Sequence, residues 1–149
     1  MGTFQKRSRS VSNRAVVIAL QKKMSARFLS ALKKAAEFVA KTQGASGVEF
    51  EVYLVDNAIL PKNVLAYPWP AGFPRPETAN QFIGEIFINP QYIRAEGQSV
   101  LFMLVHGFLH LRGYDHKKKN DTIAMEKEEQ RLLEVVSRQA PASIIKTLA

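Results

Sequence analysis

Histidine is the residue type in this chain whose spacing could do chemistry. There are three, His106, His110 and His116, and all lie in Val105–His116 (VHGFLHLRGYDH). The first two are four residues apart, so on a helix they leave from one face, one turn above the other. Gly113 supplies a residue that can leave a helix through a left-handed turn, and the chain returns His116 after a short excursion. Three imidazoles on one face, with no cysteine anywhere to close a fourth position, leave a tetrahedral zinc ion one open site for water. That is the arrangement of a catalytic rather than a structural centre. The expectation is one Zn²⁺ per chain, held by His106, His110 and His116.

The spacing His, +4 His, +7 Gly, +10 His is also the ligand spacing of metzincin proteases, H-E-x-x-H-x-x-G-x-x-H. Where those enzymes carry the glutamate that takes a proton from water, this chain has Gly107. The metal ligands are present and the protease base is absent. Zinc on three imidazoles lowers the pKa of a bound water to about 7 and can polarise a phosphoryl oxygen, and either property serves phosphodiester cleavage. The attacking group could be that water or an RNA 2′-hydroxyl. Gly107 either leaves room for a phosphate over the metal or serves helix packing.

The stretch H-G-x-L-H-L-x-G-Y-D-H resembles the signature of the YbeY family, bacterial rRNA-maturation factors and zinc-dependent endoribonucleases. The resemblance continues through Asp121, Met125, Glu126 and Glu129, and upstream includes Val64–Pro68 (VLAYP, against VLSFP) and Gly84–Ile88 (GEIFI, against a G-D-I-type strand). It covers about the central and C-terminal two thirds of the chain. It implies cleavage of single-stranded RNA in rRNA maturation, at the 16S rRNA 3′ end, and in ribosome quality control. The implied partners are the small ribosomal subunit and its assembly factors, in the cytoplasm. One departure stands out. Between Asp56 and Val64 there is only NAILPKN, residues 57–63, where the family has a longer segment with a functional arginine. Lys62 can supply a charge there, but not a bidentate phosphate clamp. The alternative is therefore a zinc-stabilised rRNA-binding factor with little catalysis, and a metalloprotease is the third reading.

Other candidates surround the ligands. Asp115 precedes the third histidine and suits a partner that fixes an imidazole tautomer, or a general base. Glu85 lies where the family carries a strand acid, and is equally readable as a solvated strand carboxylate. Arg112, Lys117, Lys118 and Lys119 flank the histidines and could gather phosphates, as could Lys62; a wet charged loop is the plainer reading.

These residues need elements to position them. The 149 residues suit one domain, with 1–14 a basic arm and 141–149 a tail. The net charge of +8 favours polyanionic partners such as RNA, and residues 1–36 hold nine Lys or Arg and no acid. An acid-poor start of this kind also describes a transit peptide. No apolar run reaches the length of a membrane span, and the absence of cysteine suits a reducing compartment. Val16–Leu20 is a strand or an early helix. Phe28, Leu32, Ala35, Ala36 and Val39 recur at helical spacing, with Glu37 and Lys41 as an i,i+4 pair. Glu49–Val55 alternates as a half-buried strand, and Val64–Tyr67 and Glu85–Ile88 are further strands. Pro68–Thr78 is a proline-stiffened loop whose aromatic rings either stack bases or pin the loop to the core. Asn89-Pro90 opens a short helix. Ser99 caps an apolar helix carrying His106 and His110, and Asn120 or Asp121 caps a last helix with Met125, Leu132, Leu133 and Val136 inward. The order predicts an α+β domain, one small sheet with helices packed on it and a buried helix bearing two metal ligands.

Overall fold

A computed structural model describes residues 12–149, apart from Lys22, Ala71, Gly72, Pro74 and residues 76–78. The expected arm of residues 1–14 lies outside the described residues up to Val11. Its last residue begins the first strand, β1 (Arg14–Ala19). There follow α1 (Ala26–Gln43), β2 (Val48–Leu54), β3 (Val64–Pro68), β4 (Gln81–Ile88), α2 (Pro90–Ala95), α3 (Val100–Leu111), α4 (Lys119–Gln139) and α5 (Ala142–Leu148).

The architecture is α+β. Its sheet runs in the order β1-β2-β4-β3; β1, β2 and β4 are parallel, and β3 pairs antiparallel with β4 along the edge. Alternation in the central strands sorts their side chains. Phe50, Val52 and Leu54 from β2, with Ile86 and Ile88 from β4, are fully buried in the layer shared with Leu32, Ala35 and Val39 of α1 and Leu104, Val105 and Phe108 of α3. The metal helix is thus a core helix, started by Ser99, whose hydroxyl accepts from Phe102 N–H at 3.2 Å.

Several expectations needed correction at the level of contacts. Of the two readings of the 16–20 run, strand or early helix, the strand is found, and it ends at Ala19. Glu37 does not reach forward to Lys41; it pairs with Lys33 at 2.7 Å and accepts the Ala15 backbone N–H at 3.0 Å, while Lys33 donates to the Ala15 carbonyl. The last long helix begins ahead of Asn120, at Lys119, and its cap residue Lys118 makes no side-chain cap bond; Asp121 instead sits in the first turn, where the helix dipole favours an anion. Residues 141–149 are not a loose tail: Pro141 starts α5, and Ile144 and Leu148 are buried in the core cluster. The outer side of β2 is more covered than a half-buried strand suggests, since Glu49 is only 6% exposed and meets Arg14.

In the described part of the proline-rich loop, Trp69 pins the chain to the sheet, while the Phe73 ring stays exposed. Trp69 packs edge-on against Phe82, its indole N–H donates to the Phe73 carbonyl, and the Arg75 guanidinium lies 4.1 Å over the Phe82 ring. Among the described residues no helix is long and apolar enough to cross a membrane.

Candidate metal centre

α3 delivers His106 and His110 from one face, and the chain leaves the helix as the glycine requires. Gly113 has φ +97, in the left-handed region that costs a side chain energy. The turn brings His116 back, with its ring centroid 5.6 Å from His106 and 5.1 Å from His110. One ligand nitrogen from each histidine lies within 4.8 Å of the others. The His106 and His110 Nε2 atoms are 3.2 Å apart, close to the roughly 3.3 Å separation that tetrahedral geometry gives two nitrogens each about 2.0–2.1 Å from zinc.

The far side of each helical imidazole is held. Nδ1 of His106 meets the Glu129 carboxylate at 2.5 Å, and Nδ1 of His110 donates to the Tyr114 carbonyl at 3.0 Å. With Nδ1 occupied, Nε2 is the nitrogen left to bind a cation, and a carboxylate behind an imidazole raises its basicity as a ligand. Burial, followed by the neighbouring His106, pushes the His110 pKa below its ordinary value, which keeps it in the neutral, ligating form. Three imidazoles, the two helical ones with backing partners, line an open cleft and fit a divalent metal.

Gly107 is explained by packing. A Cβ built there would lie 2.7 Å from Ile86 Cγ2 and 3.4 Å from Val64 Cγ2, so the glycine lets α3 settle on the sheet. The same glycine also lines the cleft over the histidines, and a side chain starting there would first have to displace Ile86.

The cleft over the histidines has a volume of about 470 Å³. Lys62, Asn63 and the β3 residues Val64–Ala66 form one wall, and Phe102 and Met103 of α3 contribute to another. Of the candidate site residues, Lys62 joins the histidines there. The others do not. Asp115 accepts from Lys117 N–H at 3.1 Å, shaping the turn that carries His116, while Glu129 and the Tyr114 carbonyl are the groups that meet the rings of His106 and His110. Arg112 donates to Gln43 Oε1 at 2.8 Å, toward α1. Lys117, Lys118 and Lys119 are exposed on the segment after His116, outside the cleft lining.

Glu85 is on the opposite face of the sheet. It alternates with Ile86, which faces α3, and pairs in register with Glu51 and Tyr67. Burial, then the Glu51 carboxylate beside it, pushes its pKa up, with Arg75 opposing. Tyr53 donates to Glu51 at 3.0 Å and, through burial first and that bond second, has its pKa raised to about 12. Sequence reasoning missed Glu129 as the partner of His106. The signal was present: on α4 the buried stripe is Met125, Glu129, Leu132 and Val136, and a carboxylate in such a stripe needs a partner.

A model of the family described as Endoribonuclease YbeY matches residues 12–137. A Rhodopseudomonas palustris protein named Endoribonuclease YbeY is 31% identical over 125 residues, covering 70% of this chain and 65% of its own. The Nitrobacter hamburgensis protein of that name is 35% identical over 83 residues, with 49% of this chain and 44% of its own covered. The one from Chelativorans sp. is 30% identical over 115 residues, with 64% and 70% covered. The chain thus spans about half to two thirds of the length of the first of these relatives. With the family model matched from residue 12 to residue 137, and the three histidines with their Glu129 support inside that span, the chain belongs to the endoribonuclease YbeY family.

Proposed function

We propose that this protein is a zinc-dependent endoribonuclease that cuts single-stranded RNA in rRNA maturation, at the 16S rRNA 3′ end, and in ribosome quality control. It works in the cytoplasm with the small ribosomal subunit and its assembly factors. The observation that carries the reading is the set of three imidazoles on the floor of an open cleft, two with Nε2 atoms 3.2 Å apart. The family name of the relatives and the net charge of +8 support RNA as the polymer.

His106, His110 and His116 would hold the zinc, which when bound supplies an acidified water and charge stabilisation at a phosphoryl oxygen. Glu129 and the Tyr114 carbonyl orient His106 and His110. Lys62, on the cleft wall, places one positive charge beside the substrate phosphates, while Phe102 and Met103 limit water around it. Arg112 and Lys117–Lys119, outside the cleft, are suited to more distant phosphates, and Asp115 shapes the turn of His116. Glu85 belongs to the far face and is not assigned to the reaction.

The second reading, an rRNA-binding factor with little catalysis, is favoured by one observation: Lys62 is the lone Lys or Arg among the described residues lining the cleft. The two separate in one experiment. Zinc-loaded protein is incubated with an end-labelled single-stranded rRNA fragment beside an equally folded His110→Ala variant. Cleavage that falls by at least about a hundredfold in the variant is expected. Loss of a ligand with no change in cleavage, or RNA bound and never cut by either protein, overturns the nuclease assignment.

A further inference from the structure

The sheet has two edges, and they are finished differently. At β1 the outward backbone of Ala15 is covered by side chains: Glu37 accepts its N–H at 3.0 Å and Lys33 donates to its carbonyl at 2.6 Å. Such covering is how proteins blunt an exposed edge. The β3 edge lies instead along the metal cleft, with Val64, Leu65 and Ala66 in its wall.

The pairing phase of β3 fixes which of its groups face that cleft. Asn89 N–H donates to the Asn63 carbonyl at 3.0 Å, and Trp69 N–H to the Ile83 carbonyl at 2.9 Å. In an antiparallel ladder the bonded residues alternate, so with the register Val64↔Ile88 to Pro68↔Gly84 the bonded positions are Leu65 and Tyr67. The backbone of Val64, Ala66 and Pro68 points outward. Pro68 agrees, since proline is tolerated only where no ladder N–H is needed. The outward Val64 N–H is already taken by the Asn63 side chain at 2.7 Å. The Val64 carbonyl and both the N–H and carbonyl of Ala66 have no partner among the described residues. One donor and two acceptors thus form a short rail beside the histidines, with Lys62 at one end.

We propose that this rail binds the sugar backbone of the substrate strand and selects RNA over DNA. The inference rests on the endoribonuclease reading and deepens it. The carbonyls of Val64 and Ala66 are acceptors, and a DNA backbone has only acceptors to offer them. The ribose 2′-hydroxyl is both donor and acceptor. It satisfies a rail carbonyl and can accept from Ala66 N–H. Recognition of this kind reads the sugar and not the base, so it suits a nuclease that takes single strands of varied sequence. An extended peptide also pairs with strand edges, but the charge of +8 and Lys62 in the cleft favour the polyanion.

The test is binding, so that it does not depend on which group attacks phosphorus. Fluorescence anisotropy on zinc-loaded protein compares labelled single strands of one sequence as RNA, DNA and 2′-O-methyl RNA, all of equal charge. The 2′-O-methyl group keeps an acceptor and removes the donor. RNA is expected to bind about tenfold more tightly than either analogue, the equivalent of one hydrogen bond left unmade. Ala66→Pro removes the outward N–H without touching the ladder, two residues before a natural proline in the same phase. It is expected to weaken RNA about fivefold with zinc stoichiometry and thermal unfolding unchanged. In the wild-type protein, RNA should also slow hydrogen exchange at Ala66 N–H.

Equal affinity for the three strands overturns the inference, whatever the variant does. So does exchange at Ala66 slowed by an extended peptide and not by RNA. The two readings fail separately. Sugar discrimination with a weakened Ala66→Pro variant but no cleavage sinks the nuclease and keeps the rail, and cleavage without sugar discrimination does the reverse. An Ala66→Pro variant that binds RNA undiminished overturns the rail.

Discussion

At the scale of single residues, the His106 ring is backed by a buried carboxylate. Glu129 reaches from α4 to Nδ1 of His106, 23 positions away in the chain, and is only 6% exposed. Replacing it with glutamine keeps the shape and removes the charge. The expected result for Glu129→Gln is a 10–100-fold loss of zinc affinity, about the range seen for such outer partners, measured by competition with a chromophoric chelator. An unchanged affinity would reduce Glu129 to packing. Gly107 makes a complementary prediction. Gly107→Ala drives a methyl to 2.7 Å from Ile86 Cγ2, and the resulting overpacking should cost about 1–3 kcal/mol in urea unfolding. The clustering of the three histidines was readable from the sequence because their spacing alone defines a face. Glu129 was not, because its meaning depends on which side of α4 meets α3, and periodicity shows a stripe without naming what lies opposite.

At the scale of elements, the sequence was most informative where local chemistry decides the outcome. Ser99 and Asn89 act as the caps their types predict: Asn89 accepts from Tyr92 N–H at 3.0 Å, as Ser99 does from Phe102. Alternation in β2 correctly identified Phe50, Val52 and Leu54 as inward. What failed was register and direction. Glu85 was a plausible site acid because it lies where the family carries a strand acid; only the pleat, with Ile86 facing α3 and Glu85 facing away, separates it from the histidines. The 141–149 segment looked like a tail because seven residues carry too short a pattern to call a helix, and its Ile144 and Leu148 take their meaning from the core they enter. The sequence likewise could not say that β3, fourth in spatial order though third in the chain, would be the edge beside the histidines.

At the scale of the whole molecule, the sheet divides the chain into a metal side and an acidic, aromatic side. On the second, Tyr53 stacks on Phe87, Tyr67 meets Phe87 edge-on, and Glu51 and Glu85 share a cross-strand position. Glu85 is held above its ordinary pKa, by burial and by Glu51. A carboxyl raised in this way contributes stability while protonated, and loses it as pH rises from the unfolded carboxyl pKa through the higher folded one. Chemical unfolding as a function of pH should therefore show a decline over that window, and Glu85→Gln should flatten it; a variant with an undiminished slope would place the ionisation elsewhere. The three histidines have a consequence of another kind, for the chain before it folds. They occupy eleven consecutive residues, His106 to His116, so a denatured chain keeps all three within a short loop that costs little entropy to close. A ligand that also binds the unfolded state stabilises the native one by less than its native affinity implies. On the proposed zinc-binding role, the metal would therefore be capturable early and locally, and its added preference for the finished protein would come from what folding alone supplies: the helical face of α3 and Glu129, which α4 brings from a distance.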